Sequence, residues 1–233
     1  MASGPEPFRV RIEQAVLDDL RRRLQHTRWP AEIAGAGWAR GAPRALVESL
    51  AASWRDTFDW RRAEERINRV AQFTHPVDGA LVHFVHERGR GPRPLPLLIG
   101  HGWPGSFLEM LDLVPWLTDP ASHGASADDA FDVVVPSMPG YGFSPATTEA
   151  DQLYHEASKV PVHLRHGERV AVPCGIARFP KEEPMPPRSW VERGYDLRRW
   201  TELPRGGHFA AMEQPELLAR DVREFFRPLR TPA

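Results

Sequence analysis

The spacing of apolar residues divides the chain into a helical first part and a mixed strand and helix remainder. From Gln14 to Gln25, Val16, Leu17, Leu20 and Leu24 fall on one face of a 3.6-residue period, with Asp18 and Asp19 early and Arg21 to Arg23 late, the order a helix dipole favours. Trp29-Pro30 ends that helix. After a Gly/Ala loop, Leu46, Val47, Leu50, Ala51 and Trp54 predict a second helix, and Trp60, Ala63, Ile67 and Val70 a third. The period then falls to two. Phe73 to Val77, a turn at Asp78-Gly79 and Leu81 to His86 predict a β-hairpin, because Asp-Gly supplies the positive φ angles of a tight type I′ turn.

Pro94 to Ile99 is an apolar run and Phe131 to Val135 is one but for Asp132, the pattern of strands covered on both faces. Between them, Phe107 to Leu117 predicts a helix burying Leu108, Leu111, Leu113 and Val114, which makes a βαβ unit with a right-handed crossover. The last third repeats this grammar: a strand over Arg169 to Pro173, a short helix over Pro187 to Arg193 and a strand over Leu197 to Leu203. A closing helix over Pro215 to Leu229 has Leu217, Leu218, Val222, Phe225 and Phe226 inward. Ala121 to Ala130 is small and polar and predicts a flexible loop.

A chain of 233 residues can bury one substantial core or two small ones. Its net charge of −1 gives no electrostatic reason to expect nucleic acid or an anionic membrane as partner. Arginine supplies almost all the positive charge, Lys159 and Lys181 being the only lysines, which fits base composition better than a binding surface. One cysteine, Cys174, excludes an internal disulfide framework and a Cys-based zinc site; no metal or cofactor is expected. The N-terminal residues have neither the basic nor the apolar region of a signal peptide, and no apolar stretch approaches the ~20 residues of a spanning helix, so the expected location is cytoplasmic. Oligomeric state is left open.

Chemistry concentrates at strand ends. The loop His101-Gly102-Trp103-Pro104-Gly105 leaves the apolar run at Ile99 and enters a helical segment, where ligands of open α/β sheets bind. His-Gly alone reads as an ordinary turn, whereas the string through Ser106 is far more specific, with the Trp103 N–H as a natural oxyanion donor. Ser137 to Ser144, reading Ser-Met-Pro-Gly-Tyr-Gly-Phe-Ser, follows the next strand; by itself it is a packing loop, and Tyr141 and Phe143 are placed to wall a pocket. His208 follows two glycines and a strand. Glu182 lies upstream at another strand end, in the chain order of acid then histidine, and would hold the imidazole in one tautomer; Glu183 beside it is an equal candidate on physical grounds.

Those strings, with Phe179-Pro180-Lys181-Glu182 and Arg205-Gly206-Gly207-His208-Phe209, closely resemble the microsomal-type epoxide hydrolases, which include the juvenile hormone epoxide hydrolases. The resemblance runs over two blocks, roughly Phe8 to Ser144 and Leu153 to Leu229. It implies an α/β-hydrolase fold with a helical N-terminal meander over 1–72, a first core part over 73–144, a junction and lid remnant over 145–160 and a second core part over 161–233. It also implies a small apolar epoxide or its diol as partner and a role in xenobiotic detoxification. In such enzymes an aspartate in the nucleophile elbow attacks an epoxide carbon, lid tyrosines protonate the opening oxygen, and a histidine-activated water hydrolyses the resulting ester. By resemblance, His208 is the water-activating base, Glu182 its charge-relay acid, Tyr154 a proton-donating tyrosine and Trp103 the oxyanion-loop residue.

The departure from that family is as specific as the match. No Gly-x-Asp-x-Gly or Gly-x-Ser-x-Gly occurs, and after Ser144 the chain passes through Pro145 to Gln152 straight to the counterpart of the lid's last tyrosine. On the order of 100 to 150 residues, a small domain's worth, are absent. Asp128, Asp129, Asp132, Asp151, Ser106 and Cys174 lie off any elbow. The expected fold is therefore an abridged α/β-hydrolase with a mostly parallel sheet, without the elbow strand and most of the lid. Three functions are open: an epoxide hydrolase with an impaired covalent step, a non-catalytic binding or interaction protein, and a truncated gene product. Loss of the elbow strand should also expose Leu95 to Ile99 as a sheet edge, unless Arg169 to Pro173 moves in to pair with it, and an open edge of that kind invites aggregation.

Overall fold

A computed structural model describes residues 4–146, 164 and 167–230. Its backbone contacts divide into two units, one of residues 9–69 and one of the remainder. The first holds three helices, α1 (Gln14–Gln25), α2 (Arg44–Asp56) and α3 (Trp60–Ile67). Asp59 caps α3 by accepting the Arg62 N–H at 3.2 Å. The chain entering the unit is tied to α3 by Asn68, which both accepts from and donates to the Val10 backbone, and by Glu64, which accepts the Ile12 N–H at 2.7 Å. That use of Asn68 ends the third helix before Val70. Leu17 is buried, but Val16, Leu50 and Trp54 on the same stripes stay at least half exposed and line a groove of about 560 Å³.

The second unit contains a five-stranded sheet built from β1 (Glu6–Phe8), β2 (Gln72–Val77), β3 (Ala80–Glu87), β4 (Leu95–Leu98) and β5 (Phe131–Pro136), in the order β1-β2-β3-β5-β4. The hairpin stands where the sequence puts it, with Asp78 at φ 48° and Gly79 at φ 85°. Separately, β6 (Val170–Arg178) pairs with β7 (Tyr195–Glu202). Among the described strands, β4 with β5 and β6 with β7 are parallel and the other ladders are antiparallel. The sheet is thus mixed, not mostly parallel. A two-residue turn cannot make a crossover, so β2 and β3 must run antiparallel, and β1, which the apolar pattern misses for its shortness, adds to β2 in the same sense.

The predicted helix between β4 and β5 is broken into a 3-10 turn at Phe107–Met110 and a short helix, α4 (Val114–Thr118). Pro115 accounts for the break: inside a continuous helix its ring would meet the carbonyl four residues back, whereas near a helix start its missing N–H is harmless. Phe107, Leu111, Leu113, Val114 and Leu117 are buried with Phe131, Val133 and Val135, while Leu108 turns outward. The segment expected to be a flexible loop holds two 3-10 turns, and Asp129 within it is buried and accepts from the Arg227 guanidinium at 3.1 Å. A buried carboxylate needs such a partner, and meeting it orders the loop.

Among the described residues the second unit also holds α5 (Arg188–Gly194), α6 (Ala210–Glu213) and α7 (Pro215–Phe226). α7 packs on α4, β6 and β7. Arg223 donates to the Trp116 carbonyl at 2.9 Å, Arg199 to Asp221 at 2.6 Å, and the Phe226 ring meets Phe131 edge-on at 5.6 Å. Gly175 is required because a Cβ there would stand 2.7 Å from the Phe225 ring.

β4 ends its sheet, and among the described residues β6 pairs only with β7, so the segment near Pro173 has not moved in to cover it. Leu95 and Ile99 donate to the Ala130 and Val134 carbonyls, which by alternation turns Pro96 to the outer edge, where it has no N–H to leave unpaired. Leu98 on this strand is 70% exposed.

Candidate active site

β4, β5, β6 and β7 each deliver a loop from their C-terminal ends: 99–106, 137–144, 179–182 and 203–208. The 3-10 turn at Phe107–Met110 touches α6, which brings the first of these loops beside the last. In the first loop His101 is buried, and its ring has a fixed tautomer. Met138 donates its N–H to Nε2 at 3.1 Å, so the proton sits on Nδ1, which donates to the Gly102 carbonyl at 3.1 Å. Gly105 donates to the same carbonyl at 2.7 Å. A capping box at Ser106 and Glu109 closes the turn, and a Cβ at Gly105 would lie 2.9 Å from the Gly102 carbonyl oxygen and push the Glu109 carboxylate out of the box. Trp103 follows, about half exposed and joined to Pro104 by a cis peptide.

His208 and Glu182 meet. The His208 Nδ1 lies 2.9 Å and 3.1 Å from the two Glu182 carboxylate oxygens, so Nδ1–H donates and Nε2 keeps a lone pair. Their loops are laced together by the Lys181 N–H on the Gly206 carbonyl and by a strand bridge between Lys181 and Gly207. Gly206, at φ 106°, passes so close to the buried Phe179 that a Cβ would stand 2.7 Å from its ring. Of the two adjacent glutamates the structure therefore brings Glu182 to the histidine.

The hydrogen bond and charge of Glu182 raise the His208 pKa above 6.5, with Glu109 and Glu213 adding to the field. A raised pKa contributes stability that is complete below pH 6.5 and is lost as pH rises through the folded value. In Glu182→Gln the His208 pKa should fall back towards 6.5, followed by imidazole NMR titration; a variant titrating where the native protein does would show that the pair has no electrostatic role.

Tyr154 lies outside the described residues, as does Asp151. The remaining alternatives to an elbow nucleophile have other partners. Asp132 accepts from the Gly89 N–H at 2.8 Å and from Arg88 at 2.9 Å, and Asp129 holds Arg227; both sit at the N-terminal end of β5, away from the loops at its other end. The Ser106 hydroxyl caps the turn at Leu108, and Cys174 lies mid-strand in β6 opposite Leu197. Phe143 does not wall a pocket: its ring packs against Phe8, His83 and Phe107 in the interior.

His83 is the polar residue that the sequence pattern does not single out. It is fully buried, with Nδ1 2.8 Å from the Ser137 hydroxyl and Nε2 3.1 Å from the Gln72 side-chain oxygen, and burial pushes its pKa down to about 4. The signal was available, since His83 shares its side of the alternating strand with the fully buried Val85. Among the described residues no group of three His, Cys, Asp or Glu side chains converges to hold a metal, and no helix is long and apolar enough to cross a membrane.

The family model for the epoxide hydrolase N terminus matches residues 5–110. A Stigmatella aurantiaca relative whose name assigns it to the epoxide hydrolases is 46% identical over 146 residues, which are 63% of this chain and 33% of the relative. Over these residues the chain is similar to the epoxide hydrolases. Epoxide hydrolase 1 of Oryctolagus cuniculus is 36% identical over 61% of this chain and 32% of its own length, so the match spans about a third of these curated relatives. The fold is that of the solved Aspergillus niger epoxide hydrolase, with a TM-score of 0.81 at 18% identity over 98% of this chain and 97% of that one. Abridged though its sheet is, the chain keeps the α/β-hydrolase arrangement of the epoxide hydrolases.

Proposed function

We propose that this chain is a member of the epoxide hydrolase family that binds a small apolar epoxide or its diol and retains the water-activating half of the hydrolytic machinery without the covalent half. The observation that carries the reading is the His208 to Glu182 hydrogen bond at 2.9 Å, set beside the loop of His101 to Ser106. Nε2 of His208 would take a proton from water as that water bonds to an epoxide carbon, while Glu182 stabilises the imidazolium. The epoxide C–O bond breaks at the same time. The proton for the departing oxygen would come from Tyr154, and the Gly102–Trp103 peptide would stabilise its developing charge. The imidazolium then returns its proton through solvent to the Tyr154 phenolate, so that water and epoxide give the diol and both side chains are restored.

The absence of Gly-x-Asp-x-Gly supports the further claim that no alkyl-enzyme ester forms here, and equally favours the second reading, a protein that binds without turnover. A single cysteine suits a reducing compartment, and we place the protein in the cytoplasm, removing or sequestering reactive epoxides. Titration with 1-phenyl-1,2-ethanediol tests the shared part of both readings. Saturable NMR shifts of the His208 imidazole and the Trp103 indole are expected. A titration that leaves both resonances unmoved, in a protein whose core resonances are well dispersed, refutes the pocket.

A further inference from the structure

The Gly102–Trp103 peptide is planar, so whatever fixes the Gly102 carbonyl also fixes the direction of the Trp103 N–H on its opposite side. Two donors fix that carbonyl, the Gly105 N–H and the His101 Nδ1–H. The second is available only while His101 carries its proton on Nδ1, and that tautomer is imposed by the Met138 N–H pointing at Nε2. Met138 is in turn placed by its neighbour Ser137, which is fully buried and held from two sides: its hydroxyl on the His83 ring at 2.8 Å and its N–H on the His83 carbonyl at 2.8 Å. The His83 N–H donates to the Ser144 hydroxyl at 2.9 Å, and that hydroxyl donates back to the Ser137 carbonyl at 2.8 Å. Both ends of the 137–144 loop are thereby clamped to one residue of β3.

We propose that His83 is a positioning residue for the site: through Ser137 and Met138 it sets the tautomer of His101, and through His101 the orientation of the Gly102–Trp103 peptide. The role needs a neutral imidazole that accepts on one nitrogen and donates on the other. Gln72 accepts from Nε2–H, which leaves Nδ1 to accept from the Ser137 hydroxyl. It also needs a rigid seat. The rings of Phe8, Phe107 and Phe143 stand 5.0, 4.9 and 5.3 Å from the imidazole, all three edge-on, and no room remains for it to turn. Gly142 meets the same clamp: at φ 56° it passes so near that a Cβ would lie 2.5 Å from the Ser137 hydroxyl. His83 touches no reacting atom, and its influence on ligand affinity rests on the proposed reading of the site.

The test begins with the native protein. Long-range proton–nitrogen NMR should show His101 as the Nδ1–H tautomer and His83 as the Nε2–H tautomer; His101 protonated on Nε2 would overturn the proposal without any variant. Two variants follow, Ser137→Ala, which removes only the hydroxyl, and His83→Leu, which keeps an apolar fill, with His83→Gln as the conservative rescue. In the first two, amide exchange at Met138 should quicken about tenfold relative to Val135 in the core, the loss of one net hydrogen bond, and His101 should average between tautomers. His83→Gln should restore part of both. Affinity for 1-phenyl-1,2-ethanediol should weaken in step, with the His208 pKa unmoved because the Glu182 pair is separate. A Ser137→Ala protein with native Met138 protection and a native His101 tautomer overturns the inference. If the diol binds not even the native protein, the proposed function fails while the exchange and tautomer results still decide the role of His83.

Discussion

Styrene oxide incubated with this chain should be hydrolysed at close to the rate in buffer alone. In hydrolases that work through a covalent intermediate, deleting the nucleophile costs about 10⁶-fold in kcat, and what survives comes from binding and from donors to the developing charge. Among the described residues, Asp132 is committed to Arg88 and the Gly89 N–H, Asp129 to Arg227, and Ser106 to its cap. On the proposed reading, direct attack by water activated at His208 accounts for any excess over buffer, and His208→Ala should remove it. The check is the rate of diol formation by chiral chromatography at several protein concentrations. Turnover of many equivalents per minute that survives His208→Ala would contradict the reading.

The second large effect is on stability. His83 titrates near 4 in the folded protein, and near 6.5 once unfolding exposes it. Between those values the unfolded chain binds the proton and the folded chain does not, so stability rises with pH across the window. The contribution, about 3 kcal/mol, is complete above pH 6.5 and is lost as pH falls through the folded value. The carboxylates whose pKa is lowered by their arginine or backbone partners, such as Asp119 and Asp132, lose their contributions below this window, and His208 changes in the opposite sense above it. Urea unfolding at pH 7, 6 and 5 should therefore show a steady loss that His83→Gln abolishes. A native curve flat over that range would mean that His83 is not held neutral by its burial.

Much of this was legible in the sequence because the physics is local. Leu17, Leu20 and Leu24 announce a helix, Asp78-Gly79 announces the hairpin, and Glu182 and His208 stand at strand ends in an order that suits a relay. The hydrogen bond between those two, spanning 26 positions, was expected from that placement. What escaped depended on contacts between segments far apart. The loop at 121–130 looks flexible until Arg227, nearly a hundred residues on, reaches Asp129. Pro115 breaks the helix that the apolar stripe over Leu108 to Val114 predicts. His83 was passed over because an alternating strand states which face a residue takes, not that Ser137 and Gln72 will be waiting there. The motif around Phe143 suits a pocket wall, whereas its ring packs in the core against His83 and Phe107.

The central claim is that this site activates water at His208 and forms no ester. A single-turnover reaction in ¹⁸O-labelled water, with protein in excess over styrene oxide, addresses it most directly. The account predicts diol that carries ¹⁸O from the first turnover, formed at no more than a modest excess over buffer, and protein whose intact mass never changes. Diol carrying unlabelled oxygen in that first turnover, with the protein first gaining the mass of the epoxide and then ¹⁸O in an Asp or Glu peptide, would show a carboxylate nucleophile at work and contradict it.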